Sequence, residues 1–253
     1  MIRSYPKSIF SGTSGLVLPE ANKLAFPPAF QDKSRLSYYA SLFNSIEFNS
    51  SFKKVPMPRT VEKWAGNVPD DFQFTFKCPG TITHNKELRF NRDDIFDFIR
   101  VIDHVGNKKG CLLMQFPGKL NITYAGEFEN VLNAVRMADP GKKWRVAWEF
   151  RNSSWYHPDI YDLLHRNDMT LVLHDMPASA TPLTYVAPVF IYLRFHGPEK
   201  GYRGNYTDDF LFKYAQQIKA WKKEKKDVYL YFNNTLGNAV NNLITLNRLI
   251  TMP

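Results

Sequence analysis

The residues best suited to chemistry stand just after short apolar runs along the chain. In order they are Glu47 and Asn49, Lys77, Gln115, Glu149 and Arg151, His174 and Asp175, Arg194 and His196, and Asn233 and Asn234. Two carboxylates brought close together can act as general acid and base, and His196 can carry the proton. Lys77, Arg151 and Arg194, with Arg89 and Arg203 further along the same loops, supply charge for an anion. Asn49, His84, Gln115, Trp155, Asp175, Tyr202, Asn233 and Asn234 complete the candidate substrate contacts, with Trp155, Tyr202 and Tyr206 able to stack on a base or sugar. Two alternatives stand beside this reading: the acids are neutralised by the neighbouring bases as buried charges usually are, and the aromatic residues only anchor loops.

His84, His174, His196, Glu47, Glu149 and Asp175 are of metal-ligating type. No HxH or HExxH spacing joins them, so no metal ligands are assigned, and a divalent metal stays open as a cofactor. His104, His157 and His165 fall on helices or their starts and are read as bystanders. No GxSxG elbow occurs and Cys78 has no partner histidine nearby in sequence, which argues against covalent acyl chemistry. The stretch 232–238 offers amides and a glycine before the last helix but is no P-loop.

These residues need a scaffold that gathers strand ends. Strand-like runs are expected at 8–12, 45–49, 72–76, 111–116, 145–150, 169–174, 189–195 and 228–232. Helical spacing marks 35–43, 58–65, 93–105, 124–137, 159–166, 208–223 and 240–250, while the proline-punctuated 177–188 shows no helix. Strict alternation implies a parallel sheet. Eight units in 253 residues favour an α/β fold, a (β/α)8 TIM-like barrel of eight parallel strands in one domain spanning 1–253. An open doubly wound sheet is the alternative, and no glycine-rich dinucleotide fingerprint supports it. Strand-to-helix loops are long (13–34, 77–92, 175–188, 196–207) and the return loops short (44, 67–71, 106–110), as in barrels that build a site on one face.

The polar strand ends also carry a family resemblance. The chain resembles the YecE-like family, domain of unknown function 72, over nearly its whole length. The matching stretches are Gly12-Thr13-Ser14-Gly15, Phe43-Asn44-Ser45-Ile46-Glu47-Phe48-Asn49-Ser50, Phe76-Lys77-Cys78-Pro79 with Ile82-Thr83-His84, and Gln115-Phe116-Pro117. Trp148-Glu149-Phe150-Arg151 with Ser154-Trp155, Arg194-Phe195-His196-Gly197, and Tyr231-Phe232-Asn233-Asn234 with Asn241 continue the match. Leu16 stands where relatives usually carry tryptophan. The resemblance implies a TIM barrel and supplies no reaction.

Composition sets the remaining expectations. Hydrophobic residues make up 44% and charged residues 23%, ordinary for a globular protein. No apolar run reaches the ~18 residues of a membrane span, and the first residues lack the apolar core of a signal peptide. A cytoplasmic location without membrane association is expected. Cys78 and Cys111 fall at opposite ends of adjacent strands, roughly 16 Å apart, and are read as free thiols. The net charge of +9 points to an anionic partner or to no more than solvated lysines such as those in 219–226. A small anionic substrate, with a sugar phosphate or nucleotide-like ligand and metal-assisted phosphoester hydrolysis as its narrowest form, is the leading reading. A non-catalytic nucleic-acid-binding barrel is the runner-up, and an inactive scaffold barrel the third.

Overall fold

The computed structural model describes residues 8–182, 185–187 and 189–252. Eight parallel strands form a nearly closed barrel: β1 (Ile9–Thr13), β2 (Ser45–Phe48), β3 (Gln73–Lys77), β4 (Lys109–Phe116), β5 (Arg145–Phe150), β6 (Thr170–His174), β7 (Phe190–Phe195) and β8 (Asp227–Phe232). Hydrogen-bonded neighbours run β1-β8-β7-β6-β5-β4-β3-β2. The helices are α1 (Arg35–Leu42), α2 (Pro58–Gly66), α3 (Gly80–Thr83), α4 (Arg92–Ile102), α5 (Ala125–Ala138), α6 (Pro158–Arg166), α7 (Asp208–Lys223) and α8 (Ala239–Thr251).

β5 and α7 occupy the expected spans, and most other elements differ by one or two residues at an end. Three differences have identifiable causes. The helix expected over 93–105 tightens into a 3₁₀ turn at Asp103–Val105 before Gly106, whose φ of 64° ends it. α3 was not expected, since four residues after Pro79 are too few to show a helical period. β4 begins at Lys109, two residues earlier than expected, because Lys109 already pairs in register with Phe74 of β3, while its ammonium donates to the Gly106 carbonyl at 3.0 Å.

Alternation along each strand separates two packing layers. Val146, Trp148 and Phe150 on β5 face outward to Phe128 of α5, and Leu171 and Leu193 join the same outer layer. Cys111, Leu113, Ala147, Val172, Tyr192, Tyr229 and Tyr231 face inward and fill the lumen as a packed core. No helix follows β6 among the described residues. Instead Thr181 and Tyr185 return along its edge, Thr181 Oγ1 donating to the Val172 carbonyl at 2.6 Å and Tyr185 OH accepting from Leu171 N at 3.1 Å. Residues 183, 184 and 188 of the irregular stretch expected at 177–188 lie outside the described residues.

Side chains complete the seam between β1 and β2. Asn44 accepts from Ser11 N at 2.8 Å and donates to the Ile9 carbonyl at 2.7 Å, doing for β1 what a neighbouring backbone would do. Tyr39 OH accepts from Thr13 N at 2.7 Å and lies 3.1 Å from the Ser45 carbonyl. Gly12 makes this approach feasible: a Cβ there would fall 2.0 Å from the Ser45 oxygen. The seam ends at the site, with Gly15 N donating to the Glu47 carbonyl at 2.7 Å.

Candidate functional site

The inward side of the strands' carboxyl ends collects Glu47 from β2, Lys77 from β3, Gln115 from β4, Glu149 from β5, His174 from β6 and Arg194 from β7. Register sets Gln115 level with Glu149 and His174 level with Arg194. Arg194 crosses the lumen and joins three strands. Its Nη2 donates to Glu47 Oε1 at 2.7 Å and its Nη1 to Glu149 Oε2 at 2.8 Å. All three side chains are buried, with both carboxylates at 0% exposure.

Neither acid is left to a single partner. Glu47 Oε1 also accepts from Ser14 Oγ at 2.6 Å, and its Oε2 from Tyr192 OH at 2.5 Å. Glu149 Oε1 accepts from Arg151 Nε at 2.5 Å. Burial alone would raise the Glu149 carboxyl, but Arg194, Arg151 and His196 beside it hold it well below the usual carboxylate range. Burial likewise opposes the Arg194 charge, and the two glutamates more than offset it, so its guanidinium stays charged.

His196 lies against this frame. Its Nε2 is 3.2 Å from Arg151 Nη2 and 3.6 Å from Glu149 Oε2, while Asn233 Nδ2 is 3.0 Å from its Nδ1. A neutral imidazole has one acceptor nitrogen, so it satisfies only one of these donors at a time. Burial lowers its pKa to about 3 against the pull of Glu149, and the ring is neutral at pH 7. Asp175 Oδ1 accepts from His196 N at 2.7 Å, and Tyr206 OH donates to Asp175 Oδ2 while accepting from Gly197 N at 2.6 Å. Asp175 and Tyr206 thereby set the backbone that carries His196. His174 packs edge-on to His196 at 5.6 Å, its Nε2 lying 3.1 Å from Tyr156 OH, and burial lowers its pKa.

Lys77 differs from the other cations. Its side chain is half-buried, with Nζ 4.3 Å from the centre of the Phe52 ring. Among the described residues its ammonium makes no hydrogen bond and no ion pair, because Arg194 and Arg151 already hold the two acids. Burial first, then Arg194 beside it, lowers its pKa to about 8, against the opposing pull of Glu149 and Glu47. His84 stands edge-on to the same Phe52 ring at 4.7 Å. Burial, then Lys77, lowers its pKa to about 4.

Trp155, Asn234 and Tyr206 lie outside this cluster. Trp155 is buried in the outer layer, stacked on Phe150 at 4.8 Å, with its indole N–H donating to the Leu120 carbonyl at 2.8 Å. Asn234 is buried and donates to the Gly204 carbonyl and to Asn242 Oδ1, tying the loop after β7 to α8. Tyr206 is likewise buried, stacked on Phe210. Gln115 donates to the carbonyl of Phe116 at 2.8 Å. Tyr202, 40% exposed, stands over the mouth 5.8 Å from the His196 ring. Asn49 follows β2, and among the described residues its Oδ1 and Arg194 Nε are buried without a hydrogen-bond partner.

The donor set fits a metal poorly. Among the described residues no three His, Cys, Asp or Glu side chains converge as a ligand set. The carboxylate oxygens of Glu47 and Glu149 already accept from Ser14, Tyr192, Arg194 and Arg151. Cys78 and Cys111 are free and buried. His104 bonds Glu62 at 2.7 Å on the helical layer.

Sequence reasoning missed Tyr192, Met176 and Phe52 as parts of the site. Strand parity signals the first, since Tyr192 lies two residues before Arg194 on the same face of β7. Nothing in the spacing signals Met176, whose sulfur accepts from Arg151 Nη1, or Phe52, which belongs to a 3₁₀ turn. A hollow of about 500 Å³ with a mixed lining opens on the outer side of β6 and β7, where Leu173, Ile191, Tyr214 and Trp221 stand beside Lys213 and Glu224, and His174 reaches its edge.

The chain matches the family model described as protein of unknown function DUF72 over residues 10–252. It is 27% identical to the UPF0759 protein YunF of Bacillus subtilis, covering 84% of each chain. It is also 34% identical to the UPF0759 protein YecE of Escherichia coli over 82 residues, 32% of this chain and 30% of that one. Crystal structures of DUF72 family proteins share the fold. One from Thermotoga maritima has a TM-score of 0.77 at 24% identity, covering 96% of this chain and 99% of its own. One from Enterococcus faecalis has a TM-score of 0.77 at 20% identity, covering 97% and 98%. No helix among the described residues is long and apolar enough to cross a membrane.

Proposed function

The chain belongs to the DUF72 family, and from that premise we propose that it is an enzyme acting on a small, polar, anionic substrate in the mouth of the barrel. The observation that carries this reading is the charge left over there. Three cations, Arg194, Arg151 and Lys77, face two carboxylates, and the carboxylates are held by the arginines. A cation without a carboxylate partner in a half-buried position attracts an anion more strongly than an exposed one, because solvent screens it less.

The division of roles follows from the contacts. Glu47 and Arg194 are buried and joined to each other, with both Arg194 Nη atoms on carboxylates, so they hold the shape of the site. Glu149 keeps its charge and orients Arg151. Arg151 Nη1 rests on the Met176 sulfur, a weak acceptor, and is the guanidinium donor most easily handed to a ligand oxygen. His196, neutral at pH 7 and within reach of both Arg151 and Glu149, offers its imidazole to the substrate as a hydrogen-bonding group. Tyr202 offers an exposed ring to a sugar or base. A sugar phosphate or nucleotide-like compound matches this mixture. No step is assigned to a metal, since the acids have no oxygen left without a donor.

Calorimetric titration with ribose 5-phosphate and with ribose tests the reading. Binding is expected for the phosphorylated sugar alone, weakening with added salt and at least tenfold in Arg151→Gln that retains the native circular dichroism. Equal binding of ribose, or an unchanged affinity in Arg151→Gln, would overturn it.

A further inference from the structure

Lys77 has a second property that charge recognition does not use. Among the described residues its Nζ is surrounded by charge and bonded to none of it. Glu47 on β2, Glu149 and Arg151 at the end of β5, and Arg194 on β7 set its field, and His84 and Phe52 flank it. The aromatic ring at 4.3 Å takes the place of water on one side. A lysine desolvated in this way beside other cations is the setting in which an amine becomes a nucleophile.

We infer that Lys77 Nζ forms an imine with an aldehyde or ketone whose anionic group is held by Arg151. The inference rests on the anion-binding reading above and deepens it to a substrate class, carbonyl compounds carrying phosphate or carboxylate. The neutral amine donates its lone pair to the carbonyl carbon. The C–O π pair moves to oxygen, which takes a proton, and the nitrogen loses one. The hydroxyl takes a second proton and leaves as water while the nitrogen lone pair forms the C=N bond, and the nitrogen's remaining proton is released to restore the balance. No oxidant or reductant takes part.

Two features of the site suit the step. A pKa of about 8 leaves the Lys77 amine unprotonated at pH 7 about a hundredfold or more as often as an exposed lysine. Arg194 and Arg151 also disfavour a second ammonium, so the free amine is kept without a carboxylate to reprotonate it by contact.

Reductive trapping tests the inference. The whole protein is incubated at pH 7 with glycolaldehyde phosphate and sodium cyanoborohydride, which delivers hydride to the imine carbon. Peptide masses then locate the secondary amines. The adduct is expected at Lys77, at least tenfold faster than at exposed lysines, and slower with unphosphorylated glycolaldehyde. Lys77→Arg keeps the charge and is expected to lose that adduct while melting as the native protein does. Saturable binding of glycolaldehyde phosphate without a selective adduct would overturn the imine and leave the anion site standing. A selective Lys77 adduct formed equally fast with glycolaldehyde would keep the nucleophile and overturn the anionic substrate class. Neither binding nor selective adduct overturns both.

Discussion

At the floor of the barrel Arg145, the first residue of β5, pairs with Asp227, the first of β8, while Tyr229 OH donates to Gln73 at 2.6 Å. At the mouth Arg194 pairs with Glu47 and Glu149, and Arg151 with Glu149. Both ends of the lumen are polar, and tyrosines and aliphatic side chains separate them. The floor matches one cation to one anion, and both side chains are about one-third exposed. The mouth buries Glu47 and Glu149 completely and leaves Lys77 without a carboxylate partner among the described residues. Charge at the floor closes the barrel; charge at the mouth is arranged around an unmatched group. The same residue types meet as a matched pair at one end and around an unmatched amine at the other, and what separates the two ends is count and burial rather than identity.

Substitutions at the two arginines press this contrast hardest. Arg194→Leu leaves two buried carboxylates without their central partner and should destabilise the fold by about 3–5 kcal/mol in urea denaturation. Arg145→Leu, at the more exposed pair, should cost about 0–1 kcal/mol. Equal losses would erase the distinction between mouth and floor.

Glu149→Gln keeps the shape and removes one negative charge. Stability should fall by about 1–3 kcal/mol, because Arg151 and Arg194 lose a charged acceptor. Phosphate binding should tighten, since the mouth then carries more uncompensated positive charge. Weaker phosphate binding in this variant would place the acid in direct contact with the ligand.

Acidification acts on the mouth through His196. His196 has a folded pKa of about 3, below its unfolded value, so the unfolded chain binds more protons between about pH 6.5 and 3. Its contribution to stability is therefore present above pH 6.5 and is lost as pH falls; at pH 5 the loss is about 1–2 kcal/mol. His84 shifts in the same direction, and Glu149 adds its own loss only below its unfolded value near 4.5. His196→Asn should flatten the slope between pH 7 and 5, measured as unfolding free energy at each pH.

The smallest effect on stability and a large one on recognition belong together at Lys77. Lys77→Met removes a partly desolvated cation that has no ion-pair partner among the described residues, so the fold should lose no stability. Phosphate affinity should fall tenfold or more. A stability loss comparable to that of Arg194→Leu would make Lys77 part of the frame.

Much of this architecture is legible in the chain. Alternating apolar runs and helical periods mark all eight strands, and strand parity faces Glu47, Lys77, Glu149 and Arg194 into one lumen. Pairing is not legible in the same way. Glu47 and Arg194 lie on β2 and β7, which are not sheet neighbours, so their contact depends on lumen width and on register accumulated around the barrel. That choice of partner decides that Arg194 takes both acids and Lys77 takes neither. Trp155 and Asn234 show the limit from another side. Each follows closely on a strand end, yet each turns outward to anchor a loop, and proximity in sequence carries no information about that turn.

The central claim is that Lys77 is an unmatched amine in an anion-binding mouth. Carbon-13 NMR of the lysine Cε resonances, with Lys77 assigned from Lys77→Arg, measures it directly. Lys77 should titrate near pH 8 in the free protein and move upward when inorganic phosphate is added, while the exposed lysines stay where they are. An ordinary lysine pKa for Lys77, unmoved by phosphate, would contradict the account.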